Sequence, residues 1–218
     1  VESRIGQMRA YYILKEYQNA IDAARKVIST EKIASEVQGE SHYIIAKSAL
    51  ELDNYNLAIK EFLITQDITR SEKGAASQYY VAYIQYLRSE HDSSEQTIFK
   101  LAQRTPSYDY WVAKGFILLA DNYLQMDNSF QAKATLQSII DNSESQELIA
   151  VAQEKLDKIK QIEALNKKRE TEVIEMEIEF EDYDIKYDEL FEEEEDFTEE
   201  ENKNVIEEQP DKKDEKNE

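Results

Sequence analysis

His42 and His91 are the only histidines in this 218-residue chain, and it has no cysteine. Zinc and iron–sulfur centres need His and Cys ligands at short, fixed spacings, and neither histidine has such a neighbour. Both are therefore expected to be structural or surface residues, with no metal and no cofactor held. No G-x-G-x-x-G, Walker loop or G-x-S-x-G occurs, so nucleotide cradling and serine hydrolysis have no carrier. Carboxylates are abundant, 47 Asp+Glu in all, but abundance is not a facing acid/base pair in a cleft. The acidic run Glu192–Asp196 lacks the alternating ligands and glycine turn of a calcium loop. What remains is aromatic. Trp111, the sole tryptophan, stands with Tyr108, Tyr110 and Phe116. Aromatic rings at helical spacing pack into a core or offer π-faces to a ligand, and both readings stay open.

The elements that would position these residues emerge from charge and periodicity. The formal net charge is -21. Residues 1–170 contribute -3 of it and residues 171–218 contribute -18. A near-neutral body thus carries an acidic tail, and both repel phosphate, so nucleic acid is not an expected partner. No run of 18 apolar residues exists, so no transmembrane segment is expected. Four glycines are too few for a sheet-rich fold with many tight turns.

Four rows of residues recur with steps of 38, 37 and 37. The first row, entered by Tyr11, is Ala49, Tyr86 and Tyr123. The others are Ala20, Ala58, Glu95 and Ala132; Ala24, Phe62, Phe99 and Leu136; and Val27, Thr65, Ala102 and Ile139. Between them apolar residues fall three and four apart, which is helical spacing. Asp53-Asn54 and Asp127-Asn128 supply turns, and Thr105-Pro106-Ser107 a break. The pattern predicts an all-α chain with helical hairpins at about 1–30, 39–69, 74–105 and 108–141.

This pattern resembles the tetratricopeptide repeat (TPR) family, whose signature runs W-x2-L-G-x2-Y, A-x3-F, P. Tyr11, Ala20 and Ala24 fall on Y, A and F in the first copy; Ala58 and Phe62 match A-x3-F in the second. Phe99 and Pro106 fit the end of the third, where Glu95 replaces a small alanine. Leu119-Ala120-x2-Tyr123 and Ala132-x3-Leu136 match the fourth. The resemblance covers roughly residues 1–145 and implies a right-handed superhelix of four TPR-like hairpins. Residues 146–170 read as a capping helix, with Leu148, Val151, Ala152, Leu156, Ile159 and Ile162 on its apolar stripe. The likeness extends in general texture to bacterial helical-repeat proteins of the cell envelope. It implies a periplasmic or envelope setting, and a chain that is the C-terminal portion of a longer repeat protein.

In a TPR-like fold the first helix of each hairpin lines the concave face. That implies a partner-binding row of Arg9 and Tyr12, Tyr43 and Lys47, Tyr80 and Arg88, then Lys114 and Asp121. Tyrosine beside cations suits an acidic or C-terminal carboxylate peptide. The tail, residues 171–218, is expected to be largely disordered. Within it, residues 173–180 alternate apolar and acidic, a strand signal. Ile174, Met176, Ile178 and Phe180 would then add to a partner's sheet edge. The expected function is a non-catalytic scaffold or adaptor that binds proteins. The alternatives are an acidic chaperone-like module that shields basic clients, and an accessory enzyme with groove carboxylates.

Overall fold

The computed structural model describes the backbone of residues 2–202 and the side chains of residues 2–176. Among the described residues all regular structure is helical. Two units divide the chain between Lys160 and Gln161.

The first unit holds four helical hairpins. They are α1 (Glu2–Ile13) with α2 (Tyr17–Ile28), α3 (Ser35–Glu51) with α4 (Tyr55–Ile68), α5 (Glu72–Leu87) with α6 (His91–Ala102), and α7 (Asp109–Gln125) with α8 (Ser129–Asn142). A ninth helix, α9 (Gln146–Asn202), opens in this unit and continues into the second.

Each hairpin closes by the same turn. Lys15, Asp53, Ser89 and Asp127 adopt φ between 55° and 60°. The following residues, Glu16, Asn54, Glu90 and Asn128, donate their amides to the carbonyls of Tyr11, Ala49, Gln85 and Tyr123 at 2.8–2.9 Å. The four left-handed residues themselves donate to Tyr12, Leu50, Tyr86 and Leu124. This is the Schellman pair of bonds, which satisfies carbonyls that a helix end leaves open. None of the four left-handed residues is glycine, so each turn carries a conformational cost of roughly 1–2 kcal/mol. In two turns the next residue returns part of it, because Asn54 and Asn128 cap α4 and α8 by accepting from the amides of Leu57 and Gln131.

These turns also correct the register. They repeat at 38, 36 and 38, not 38, 37 and 37. The buried rows follow the same steps. Met8, Ala46, Ala82 and Ala120 form one; Ala20, Ala58, Ser94 and Ala132 form the second. Ala24, Phe62, Ile98 and Leu136 form the third, and Val27, Thr65, Leu101 and Ile139 the fourth. The expected third-unit members Tyr86, Glu95, Phe99 and Ala102 are each one position late, and Phe99 is exposed. The small residue where α5 meets α6 is Ser94, which donates to the Ala82 carbonyl at 2.9 Å. Glu95 instead accepts a 2.6 Å bond from Tyr123. The shift arises at the α4–α5 connection, Thr69–Ser71, which is shorter than the corresponding Ser29–Ala34 and Gln103–Tyr108 segments.

That short connection is held from the next hairpin. Arg104 donates to the carbonyls of Gln66 and Thr69 at the C-terminal end of α4, and Tyr108 donates to that of Arg70. Gly74 makes room for this clamp. A Cβ there would lie 2.4 Å from both the Thr69 carbonyl oxygen and Arg104 Nη2.

The odd-numbered helices touch one another in sequence, α1 with α3, α3 with α5 and α5 with α7. Among the described residues the even-numbered helices α2, α4, α6 and α8 make no such contacts with each other. Within this unit the hairpins therefore converge on the odd-helix side, which becomes the inner face.

The last core layer is closed by the start of α9. Leu148, Ala152, Leu156 and Ile159 are buried among α7 and α8 residues. Val151 and Ile162, expected on the same stripe, are exposed.

In the second unit the backbone is helical as far as Asn202. The strand expected at residues 173–180 is therefore corrected to helix. Once a helix is nucleated each added residue costs little, and neither Gly nor Pro occurs between Gln146 and Asn202 to stop it. On a helix Ile174 and Ile178 share one row, Met176 and Phe180 another about 200° away, so the four no longer form one edge-binding face. Residues 203–218 lie outside the described residues, as do the side chains of Ile178 and Phe180.

Gly74→Ala should lower stability by about 1–3 kcal/mol, because backbone rather than a flexible tip blocks the new methyl. Urea unfolding should show a lower midpoint; an unchanged one would mean that the Thr69–Arg104 clamp is dispensable.

Candidate functional site

The inner face gathers aromatic side chains because three helices repeat them at helical spacing. On α3, Tyr43 and Lys47 are four residues apart. On α5, Tyr79 and Tyr83 share a row and Tyr80 lies beside them. On α7, Tyr110, Trp111 and Lys114 share another. Phe62 of α4 is fully buried beneath this layer. It stacks on Tyr80 with centroids 5.2 Å apart and meets Tyr43 edge-on at 6.0 Å. Trp111 packs on Tyr79 at 5.6 Å, Tyr80 at 5.9 Å and Tyr110 at 5.4 Å. Its indole donates to Glu72 at 3.0 Å, which fixes the ring.

Two lysines stand on this layer. Lys47 Nζ lies 4.0 Å from the Tyr80 centroid, and its side chain is only 13% exposed. Its nearest carboxylate is Glu51, at 3.8 Å one turn along α3. Lys114 Nζ lies 5.3–5.6 Å from the centroids of Tyr79, Tyr110 and Trp111. No ion pair engages it among the described residues. Cations over ring faces are held by the ring quadrupole, by about 0.5–2 kcal/mol.

Two open hollows flank the aromatic layer. One, of about 460 Å³, includes Lys47, Lys114, Tyr79, Tyr80 and Tyr83 in its lining. The other, of about 580 Å³, includes Arg9, Glu40, Tyr43, Glu72 and Trp111. A larger hollow of about 850 Å³ lies between α7 and α8, bounded by the 143–145 segment, and Tyr110 also lines it.

The eight expected binding residues thus separate. Tyr43, Lys47, Tyr80 and Lys114 come together, and Tyr12 lies close enough to Tyr80 for the two phenols to couple electrostatically. Arg9 is engaged by Glu40 through two bonds, Nε at 3.0 Å and Nη2 at 2.6 Å. Asp121 is paired with Lys155 of α9 at 2.7 Å. Arg88 ends α5 and turns to Asn56 at 2.7 Å and to the Tyr55 ring. Three of the expected groups are thus satisfied by neighbours. Tyr79, Tyr83, Tyr110 and Glu72 were not in the expected set. The Tyr79-Tyr80 doublet followed by Tyr83 was the available signal for the first two.

Four carboxylates on this face each answer a donor, and Glu36 lines the same hollow as Glu40 and Glu72. Glu40 has Arg9, Glu51 has Lys47, Glu72 has Trp111 and Asp121 has Lys155. None of them is paired with a second carboxylate among the described residues, the arrangement that an acid/base enzyme would need. The histidines are structural. His42 bonds to Glu61 of α4, and both side chains are nearly buried. His91 bonds to Asn122, whose amide donates to Ser94 and to the Leu118 carbonyl. The Asn122 oxygen is therefore the acceptor, and His91 Nδ1 carries a proton.

Burial pushes the Tyr12 phenol up to about 12, with help from Tyr80, Glu51 and Tyr17. Tyr43 and Tyr79 are raised further, again mainly by burial and then by Tyr80. Burial and the bond to Glu95 raise Tyr123 to about 12. The hydroxyls of Tyr12, Tyr43 and Tyr79 are thus neutral hydrogen-bond donors at physiological pH.

No family model matches the chain, and no curated protein is similar to it in sequence. Solved structures do match. YrrB, described as a TPR protein with an unusual peptide-binding site, aligns with a TM-score of 0.54 at 15% identity, over 69% of this chain and 73% of that one. MamA aligns with a TM-score of 0.52 at 15% identity, over 74% of this chain and 96% of that one.

Raised phenol pKa values bind protons more tightly in the folded state. Their stabilisation is complete below the unfolded value near 10 and is lost as pH climbs towards about 12. Denaturant midpoints should therefore hold steady up to about pH 10 and fall between about 10 and 12. Tyrosinate absorbance should lag behind that of free tyrosine over the same window. Ordinary titration of all the tyrosines in the folded chain would show that the aromatic layer is open to water.

Proposed function

The fold is that of a TPR-like helical-repeat protein, and on that basis we propose that this chain is a non-catalytic scaffold that binds protein segments on its inner face. The observation that carries the reading is the placement of Lys47 and Lys114 over the Tyr79–Tyr80–Trp111 layer. Lys114 has no ion-pair partner among the described residues and Lys47 only Glu51 at 3.8 Å, and both stand beside flat aromatic surface and phenol donors. This composition suits an extended peptide that brings a carboxylate to the lysines and an apolar or aromatic side chain to the rings. The TPR relative YrrB, whose description names a peptide-binding site, supports the choice of ligand class.

A second reading, the chaperone-like module, is favoured by the acidity of residues 171–202, which hold 17 Asp+Glu and one lysine. It assigns client binding to that segment and none to the groove.

Trp111 is the only tryptophan, so its fluorescence reports on the site directly. Peptides selected from a displayed random library against the full chain should be enriched in acids and aromatics, and should quench Trp111. Lys47→Glu and Lys114→Glu should each weaken binding roughly tenfold or more, and raised salt should weaken it in the unaltered chain. Arg9→Ala should change little, because Glu40 already occupies that guanidinium. Selected peptides that bind all three variants equally and leave Trp111 unchanged would refute the groove. Loss of all binding on removal of residues 171–218 would favour the chaperone reading.

A further inference from the structure

The hollow of about 850 Å³ lies between the start of α7 and the end of α8, and meets the inner face only at Tyr110. The previous hairpin shows what fills the equivalent place. Arg104, past the end of α6, lies across Gly74 of α5 and reaches the carbonyls of Gln66 and Thr69. The turns of the third and fourth hairpins are 38 residues apart, so Asn142 stands where Arg104 stands. Its shorter side chain folds back and donates to the Ser138 carbonyl at 2.9 Å. Val112 takes the place of Gly74, and Phe116 that of Gln78. Gly74, Ala75 and Gln78 are buried, whereas Val112, Ala113 and Phe116 are only partly so. The fourth hairpin therefore lacks an internal filler and has apolar walls instead.

The lining states the chemistry of a guest. Val112, Ala113, Phe116 and the nearly buried Ile139 form the walls. Phe116 meets Phe99 edge-on at 6.5 Å, which fixes its ring. The charged residues of the lining are Asp109 and Glu144, and no cation lines the hollow. Lys114 stands over the Tyr110 ring at 5.6 Å but outside the lining. Asp109 accepts a bond from Ser107 at 2.7 Å, and Glu144 makes no ion pair among the described residues. An ionised carboxylate accepts several bonds, so both keep room for a donor. A cleft of this size, apolar with a few polar groups at its rim, has the common form of a ligand pocket. Its charge selects a cation and disfavours an acid.

We propose that the hollow between α7 and α8 is a second docking site, for a basic segment of a partner protein. The segment inserts a bulky apolar side chain between the two helices and sets an arginine or lysine against Asp109 and Glu144. The apolar side chain supplies the contact, and the carboxylates select its neighbour. This site goes beyond the inner-face groove and does not use Lys47.

The test uses the full chain and three dipeptides capped at both ends: phenylalanine–arginine, phenylalanine–glutamate and glycine–arginine. Methyl NMR signals of Val112, Ala113 and Ile139 report on the hollow directly. Phenylalanine–arginine should shift them saturably. Phenylalanine–glutamate should bind about fivefold more weakly, for want of the exposed charge pairs. Glycine–arginine should bind at least about tenfold more weakly, for want of the buried ring. Asp109→Asn/Glu144→Gln should erase the preference for arginine over glutamate and leave the preference for phenylalanine over glycine. Ala113→Leu fills the hollow and should weaken phenylalanine–arginine by at least about tenfold, with thermal melting as the check on folding. Lys47→Glu, which disables the inner-face groove, should leave all three affinities unchanged. A loss with that variant would assign the shifts to the groove and overturn the proposal. Absence of saturable shifts at these methyls, or equal binding of the three dipeptides, would overturn it too. So would a preference for arginine that survives Asp109→Asn/Glu144→Gln.

Discussion

A single helical hairpin cannot cover its own apolar stripe, and the first unit follows from that constraint. Each pair of helices must approach closely enough to share a core with the next pair. Close approach demands small residues where the two axes come nearest. Ala46 and Ala58, Ala82 and Ser94, and Ala120 and Ala132 are those residues, and all are fully buried or nearly so. Larger residues, Phe62, Ile98 and Leu136, fill the space one turn further along. The first hairpin departs in one place, where Met8 stands opposite Ala20, and its flexible side chain is still wholly buried.

Stacking on these contacts brings the odd helices together on one side, and this convergence makes the site. Tyr43, Tyr79, Tyr80 and Trp111 come from three helices that are distant in sequence. They meet because α3, α5 and α7 are neighbours across hairpins. Phe62 links core to surface, since its ring is buried with the hydrophobic layer and stacked under Tyr80. The lysines follow the rings. A cation one turn from a tyrosine on its own helix reaches the ring of the next helix instead, as Lys47 reaches Tyr80.

The two units answer different physical demands. In the first, charge is nearly balanced, and groups that could stand free are paired: Arg9 with Glu40, Asp121 with Lys155, His42 with Glu61. In the second, acids greatly outnumber cations and apolar side chains lie exposed.

The sequence by itself determined the helical class, the hairpin pattern and two of the turns, Asp53-Asn54 and Asp127-Asn128. Helical periodicity and turn-formers such as Asp53-Asn54 are local signals, read within a few residues of where they act. It also determined which residue types recur, but not their register in the third unit. Glu95 and Phe99 sit at plausible spacing, and only packing revealed that Ser94 and Ile98 face the core. The strand pattern at residues 173–180 failed for a related reason. Alternation is a weak local preference, and an α9 already nucleated at Gln146 overrides it. Of the candidate binding residues, the sequence supplied the tyrosines and cations; the tertiary structure decided which of the charged groups are held by other elements. Pairing of Arg9, Arg88 and Asp121 depends on side chains from other elements. No spacing along one helix contains that information, because a salt bridge is made by distance in space and not by distance along the chain.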